Sequence, residues 1–339
     1  MELATGANKS LKDIRDYKHE QALASIELPP TTHRKEYNFH LNQRGIGICT
    51  AISVCTVMRK MYGIEFSPQF LYVMGKKIID RNMIEGSSIR TMLQIANTIG
   101  VLPLSDNPQD DTHKSYVNYI DITFTDEQIQ KASAYKLKYA SARLDPVGFA
   151  TDLYNSKYGL LTRQAVGGNT YQPSWRKSDL ELMREPKPVT GGHAVLVNWY
   201  DGLDENQLRE WHNTWGDKNN PTNDNGAVWS DDGNLKYKYS TQKKYVTEAW
   251  VVLDYEPITF KHTFTKHMKK GQSTPEVVAL QRILAQAGYL IMPKDAPYGF
   301  YGNLTSQAVY KFQQAHGIQS KNGDDVGKLT IQKLNELYS

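Results

Sequence analysis

Apolar residues recur at helical spacing through the first hundred residues of the chain. In the segment NQRGIGICTAISVCTVMRKMYG, Ala51, Val54 and Met58 share one helical face. Two glycines precede this pattern, so the sequence predicts that the helix begins at about Cys49. Gly63 follows the last apolar position and is a natural helix stop.

Two more helices are predicted from their capping residues. Ser67 followed by Pro68 supplies an N-cap and a first helical residue for the segment FLYVMGKKIID. Ser87 or Ser88 caps the next pattern, which runs to Gly100. The first part of the chain is therefore predicted to be helical.

After Gly100, short runs rich in Val, Tyr and Trp replace the helical pattern, with Gly, Asn and Asp between them. The runs are YVNYIDITF, YGLLTRQAV, HAVLVNWYD, GAVWS and EAWVVLDY. Such runs are typical of β-strands. Helices followed by strands predict an α+β domain.

The last seventy residues return to helical spacing after a charged connector, EPITFKHTFTKHMKK. Their apolar positions predict a small three-helix unit. The predicted organisation is an N-terminal arm (1–35) packed on the catalytic domain, a catalytic domain (36–257), a linker (258–268) and a three-helix domain (269–339).

Composition narrows the functional classes. The 339 residues are 40% hydrophobic, enough for a folded core, and their net charge of +4 is too small for a dedicated nucleic-acid binder. No run of 18 apolar residues occurs and the start has no apolar stretch, so neither a membrane span nor a secretory signal peptide is expected. Residues 260–339 carry 10 Lys and Arg against 5 Asp and Glu, which indicates either an anionic partner such as a cell wall or simple solubility.

Four residues have the chemistry of a cysteine peptidase site. Cys49 is placed at a helix N-terminus, where the helix dipole favours a thiolate, although a free cysteine is more often a small buried hydrophobe. His193 follows two glycines and begins a strand pattern, so it could be held as a base. Asn213 could orient that imidazole, and Gln43 could donate a hydrogen bond to an oxyanion together with the backbone amide of Cys49.

These residues, in this order, resemble the papain family of cysteine peptidases. The motifs are Gln-x5-Cys, Gly-His-Ala-Val and Asn-Thr-Trp-Gly, with His193 and Asn213 lying 144 and 164 residues after Cys49. Residues 10–257 are covered by the resemblance, and the segments IRDYKHEQALASIELPP and EGSSIRTMLQIANTIGV are similar to bacterial and phage members. The resemblance implies a helical half and a β-rich half.

The resemblance also implies roles for individual residues. Cys49 would attack the substrate, His193 would transfer protons, Asn213 would orient His193, and Gln43 would complete the oxyanion hole. Trp215 would shield the His–Asn hydrogen bond, and Gly86 and Ser87 would form the strand that pairs with the substrate backbone.

The chain departs from the family pattern near the nucleophile. The usual Cys-Gly-Ser-Cys-Trp is here Ile-Gly-Ile-Cys-Thr, Arg44 replaces a usual Gly, and Ser87 replaces the second Gly of the substrate strand. These departures leave subsite preference open. The sequence shows no long inhibitory pro-segment, so control by zymogen cleavage is not expected.

Residues 269–339 resemble the three-helix peptidoglycan-binding domain of wall hydrolases. Most matching positions are apolar core residues or turn glycines, as in Gly299-Phe300-Tyr301-Gly302. A helical appendage that docks on the catalytic domain or on another protein remains the alternative. Exposed Tyr301 and Asn303 are candidate contacts to sugar or peptide.

Together the two resemblances favour a phage-type lysin (endolysin) that hydrolyses peptide bonds of peptidoglycan through a thioester on Cys49. It would be made without a signal peptide and would act, as a monomer, at the wall or outside the cell. No cofactor, metal site, nucleic acid or membrane partner is expected. A wall-anchored protease of protein substrates is the first alternative, and a wall-binding structural protein with a degenerate peptidase fold is the second.

Overall fold

A computed structural model describes most of the chain. The described residues are 5–10, 16, 18–19, 27–166, 188–204, 208–217, 219, 233–254, 260–292 and 298–339. They form two compact units. The first draws on residues 1–125 and 135–255, and the second on residues 126–134 and 256–339.

The helical half of the first unit begins with the helix that carries the candidate nucleophile. Its helices are α1 (Cys49–Tyr62), α2 (Pro68–Gly75), α3 (Ile89–Thr98) and α4 (Tyr116–Ile120). The predicted start and end of α1 are confirmed, with Gly63 in the left-handed region at φ 73°. The predicted caps are confirmed too, since the side chains of Ser67 and Ser88 accept hydrogen bonds from the first turns of α2 and α3.

A sheet forms the other half of the first unit. Among the described residues it has seven strands, which are β2 (Thr32–Arg34), β4 (Lys138–Ser141), β5 (Leu160–Val166), β6 (Gly191–Asp201), β7 (Leu208–His212), β8 (Asn234–Lys238) and β9 (Val246–Leu253). They are antiparallel and follow the order β4-β9-β5-β6-β7-β8, with β2 paired to β6. Helices α6 (Pro146–Asn155) and α7 (Tyr239–Gln242) accompany it. Because β6 is a central strand, its first residues are held rigidly.

One predicted strand is wrong, and another lies outside the described residues. YVNYIDITF begins with the short helix α4, because Ser115 caps it by accepting a hydrogen bond from Asn118 N and the buried Tyr119 packs into the helical half. The hydroxyl of Tyr119 donates to Asp110 at 2.8 Å. GAVWS falls among residues that the structure does not describe.

Two short strands join the start of the chain to the helical half. β1 (Ala7–Asn8) pairs in parallel with β3 (Ser87–Ser88), with Ala7 opposite Ser87. This pairing brings residues near the N-terminus to the strand that the sequence assigns to substrate binding.

The second unit contains the three helices predicted at the end of the chain. They are α8 (Pro275–Gln286), α9 (Asn303–Ala315) and α10 (Lys328–Tyr338), with α5 (Asp126–Ala132) and the antiparallel pair β10 (Met268–Lys269) and β11 (Asp325–Val326). Apolar side chains such as Leu280, Phe312 and Leu334 are fully buried in its core. The apolar positions that recur about every 3.6 residues in the sequence therefore form the face of each helix that packs into the core.

Candidate active site

Cys49 is the first residue of α1 and is fully buried. Burial raises the pKa of its thiol, while the backbone amides of Ala194, Gly6 and Thr50 act in the opposite direction. The thiol thus lies where backbone N–H groups converge on it. These groups would stabilise a thiolate once water can reach the site.

His193 and Asn213 meet through their side chains. His193 lies near the start of β6 and Asn213 directly follows β7, the adjacent strand. The distance from His193 Nε2 to Asn213 Oδ1 is 2.8 Å. The backbone N–H of Thr214 also donates to Asn213 Oδ1, at 2.7 Å, which identifies that atom as the amide oxygen.

This hydrogen bond fixes the proton on the imidazole. An amide oxygen only accepts, so Nε2 carries the proton, and Nδ1 of a neutral ring is left as an acceptor. Burial lowers the pKa of His193 to about 4, with the bond to Asn213 acting in the opposite direction. The ring is therefore neutral at pH 7, in the form that can take a proton from a thiol.

An indole ring covers the imidazole. Trp215 is fully buried and stacks on His193 with ring centroids 4.2 Å apart and an interplanar angle of 13°. The stack limits water access to the His193–Asn213 hydrogen bond, which is the position that the family resemblance implies for this residue.

Gln43 ties the loop before Cys49 to the loop after Asn213. Its backbone N–H donates to Thr214 O at 2.8 Å, and its side-chain oxygen accepts from Thr214 Oγ1 at 2.5 Å. Its side-chain amide donates to Ile46 O at 3.0 Å. Gln43 thus holds the loop before Cys49 beside the loop that carries Asn213.

The predicted substrate strand is paired with the chain itself. The backbone N–H of Ser87 donates to Gly6 O at 2.8 Å, and the Ser87 hydroxyl donates to Asp80 Oδ2 at 2.8 Å. Gly86 has φ 98°, a conformation that favours glycine. Residues 5–8, hereafter the N-terminal segment, therefore occupy the edge where a substrate backbone would pair.

The N-terminal segment also contacts the other side of the site. Arg163 Nε donates to Ala7 O at 2.8 Å, and the Gly6 amide acts on the Cys49 thiol. The prediction that the chain has no long inhibitory pro-segment is compatible with this arrangement, in which the short segment 5–8 lies beside the nucleophile. Gly6 and Ala7 are thus site residues that the sequence analysis missed, since a lone glycine in a polar arm carries no pattern.

The structure of the second unit contradicts one predicted contact. Tyr301 is fully buried, and its hydroxyl donates to Gly323 O at 2.6 Å, so it cannot serve as an exposed contact to sugar. Asn303, the first residue of α9, is exposed as predicted. Tyr298 and Phe300 are 45% and 55% exposed, so the aromatic surface of this loop is provided by these two residues, which precede Tyr301, rather than by Tyr301.

The structure also bears on metal sites and membrane spans among the residues that it describes. Within those residues, no three His, Cys, Asp or Glu side chains are placed to hold a metal ion. None of the helices described there is long and apolar enough to cross a membrane.

Comparison with known proteins gives a separate finding for each unit. Residues 273–334 match the family model described as a putative peptidoglycan binding domain. No curated protein matches the chain in sequence.

Two solved structures resemble the chain in fold. Xylellain, a cysteine protease from Xylella fastidiosa, is 20% identical with a TM-score of 0.57, and the match covers 75% of this chain and 97% of that one. ProCathepsin B S9 from Trypanosoma congolense is 16% identical with a TM-score of 0.50, and the match covers 75% of this chain and 87% of that one. The chain therefore combines the fold of the papain-like cysteine proteases with a C-terminal peptidoglycan-binding domain.

Proposed function

We propose that the protein is a cysteine endopeptidase that cuts peptide bonds of the bacterial cell wall, with a catalytic domain at 36–257 and a wall-binding domain at 269–339. The observation that carries the proposal is the hydrogen bond from His193 Nε2 to Asn213 Oδ1. It leaves Nδ1 as an acceptor, on the strand whose next backbone amide acts on the Cys49 thiol. A nucleophile, a base and an orienting group are the parts that covalent acyl transfer needs.

The proposed reaction proceeds through a thioester. His193 Nδ1 takes the thiol proton, Cys49 Sγ attacks the carbonyl carbon, and the backbone N–H of Cys49 and the side-chain amide of Gln43 stabilise the oxyanion. The C–N bond then breaks as His193 gives the proton to the leaving amine. Water, deprotonated by His193, hydrolyses the thioester and releases the carboxylate product, and the proton returns to Cys49.

The covered site is the resting form in this proposal. With the N-terminal segment in place, the Cys49–His193 pair is buried, which raises the pKa of the thiol and lowers that of the imidazole. Both changes favour the neutral pair over the thiolate–imidazolium pair. The segment must therefore leave before a substrate can pair with Ser87 and react.

Wall binding directs the peptidase to its substrate in this proposal. The match of residues 273–334 to a peptidoglycan-binding family supports action at the cell wall. A tethered peptidase works at a high local concentration of wall peptides, so even a weak binding module increases turnover. The expected role is that of a wall-lytic enzyme of the phage-lysin type.

The test is digestion of purified sacculi by the full-length protein, with Cys49→Ala as the matched control. Mass spectrometry should find new amino or carboxyl ends in wall peptides, absent with the variant, while both proteins sediment with the sacculi. Cleavage of casein without any release from sacculi would instead favour a wall-anchored protease of proteins. Equal fragment release by Cys49→Ala would rule out the mechanism.

A further inference from the structure

The N-terminal segment runs through a channel whose walls are glycine backbones. Cβ atoms added to Gly47, Gly86 and Gly192 would lie 3.0, 3.0 and 2.2 Å from backbone oxygens of the segment. Carbon atoms in proteins do not approach oxygen at 2.2 Å without a shift of one group. A Cβ atom at Gly192 would thus collide with the segment, and Cβ atoms at Gly47 and Gly86 would require small shifts, so the lack of side chains on these wall residues keeps the channel open to a peptide backbone.

The narrowest point lies beside the nucleophile. A Cβ atom added to Gly6 would lie 1.8 Å from the carbonyl oxygen of Gly47, two residues before Cys49. At the same residue, Gly6 O accepts from Ser87 N at 2.8 Å. A peptide that follows the path of the segment past Ser87 to Cys49 passes this point, where the space fits a glycine.

A carboxylate holds the two walls together. Glu85 Oε1 accepts from the backbone N–H of Gly47 at 2.5 Å, and Glu85 lies two residues before the strand that pairs with the segment. This charge-assisted hydrogen bond joins the loop before Cys49 to the opposite wall. Since both walls are backbone and are tied to each other, the channel cannot widen by a side-chain rotation.

We propose that this channel makes the peptidase selective for glycine at the substrate residue that pairs with Ser87 opposite Gly47. The inference rests on the proposed function and names its substrate class as glycine-containing peptides. With residues 273–334 matched to a wall-binding family, glycine-containing cross-bridges of the cell wall are the favoured source.

The selectivity is measured with internally quenched peptides that contain consecutive glycines. Matched peptides, in which each glycine in turn is replaced by alanine, are measured beside them. The full-length protein and its Gly6→Ala variant are the enzymes. At one position next to the cleaved bond, alanine should lower kcat/KM about 10- to 100-fold, the range for one added carbon in a confined site. Alanine accepted at every position with less than a twofold loss would overturn the proposal.

Removal of the hydrogen bond between Glu85 and Gly47 tests the cause of the glycine selectivity. Glu85→Ala should free Gly47 and reduce the glycine-to-alanine ratio of kcat/KM to below about threefold, while a merely structural role would lower both rates together. Glu65→Ala removes a half-exposed carboxylate that pairs with Arg59 elsewhere in the same unit, and should leave the ratio unchanged. A ratio that stays high in Glu85→Ala would contradict the role of this residue.

Digestion of two kinds of sacculi distinguishes a failure of this inference from a failure of the proposed function. Release from glycine-bridged sacculi but not from sacculi with glycine-free cross-links supports the inference. Equal release from both overturns glycine selectivity and leaves the peptidase proposal standing. Absence of any cleavage, together with a Cys49 thiol that does not react with iodoacetamide in the Gly6→Ala protein, would overturn both.

Discussion

The two units differ in where their identifying residues lie. In the first unit, the motif residues Cys49, His193 and Asn213 meet at a site built from a helix and two adjacent strands. In the second unit, motif residues such as Leu280 and Tyr301 are buried in the core. A sequence motif thus points to chemistry in one case and to packing in the other, and only the first kind predicts what a residue does.

Loss of the base should have the largest effect and acts on the first unit alone. His193→Ala removes the group that takes the thiol proton, so kcat on a cleaved peptide should fall about 10³-fold or more. Sedimentation with sacculi should not change, because residues 273–334 lie in the second unit. Activity within tenfold of the unchanged protein would refute the role of His193.

Expulsion of the N-terminal segment should have the next largest effect. Gly6→Ala places a Cβ atom against the Gly47 carbonyl oxygen, so the covered form loses stability and the steady-state rate should rise about tenfold or more. The rate of Cys49 alkylation by iodoacetamide should rise in parallel. Gly45→Ala is the matched control, because a Cβ atom there meets nothing within 4 Å. A Gly6→Ala protein no faster than the control would show that the segment does not limit access.

Acidification should destabilise the first unit in a defined window. The pKa of His193 is about 4 when folded against about 6.5 when unfolded, so the unfolded chain binds the extra proton between these values. The stability that neutral, buried His193 contributes is fully present above pH 6.5. It is lost as the pH falls toward 4, and the loss reaches up to about 3 kcal/mol.

Urea unfolding of the first unit between pH 7 and 4.5 measures this loss. His193→Gln should reduce the pH dependence of the free energy of unfolding by about one proton. Buried His212, whose pKa is also lowered by burial, contributes to this dependence in the same direction. An unchanged slope in His193→Gln would contradict a buried neutral His193.

The smallest effects are expected in the second unit. Phe300→Ala removes an exposed aromatic ring three residues before Asn303 and should weaken binding to sacculi about three- to tenfold. Tyr301→Phe removes only the hydroxyl bonded to Gly323 O, so it should cost about 1 kcal/mol of stability without changing wall affinity. Sedimentation and thermal unfolding distinguish the two. If Tyr301→Phe bound sacculi more weakly and Phe300→Ala did not, Tyr301 rather than Phe300 would be the residue that contacts the wall.

Local pattern was sufficient for much of the fold. The helix from Cys49, the caps Ser67 and Ser88 and the C-terminal helices could be predicted because periodicity and capping depend on nearby residues. The run from Tyr116 was predicted wrongly, because the same β-prone residues form a helix when a capping serine and a buried tyrosine contact favour it. Tertiary packing overrides local propensity in such short segments.

The sequence by itself determined the chemical groups of the proposed site and their order along the chain. It could do so because reactivity resides in residue type and because the resemblance fixed the spacing. Only the tertiary structure decided that the N-terminal segment lies over Cys49, that Glu85 holds Gly47 against the opposite wall, and that Tyr301 turns inward. These features arise from contacts between residues tens of positions apart, and burial and hydrogen bonding at such distances leave no local pattern.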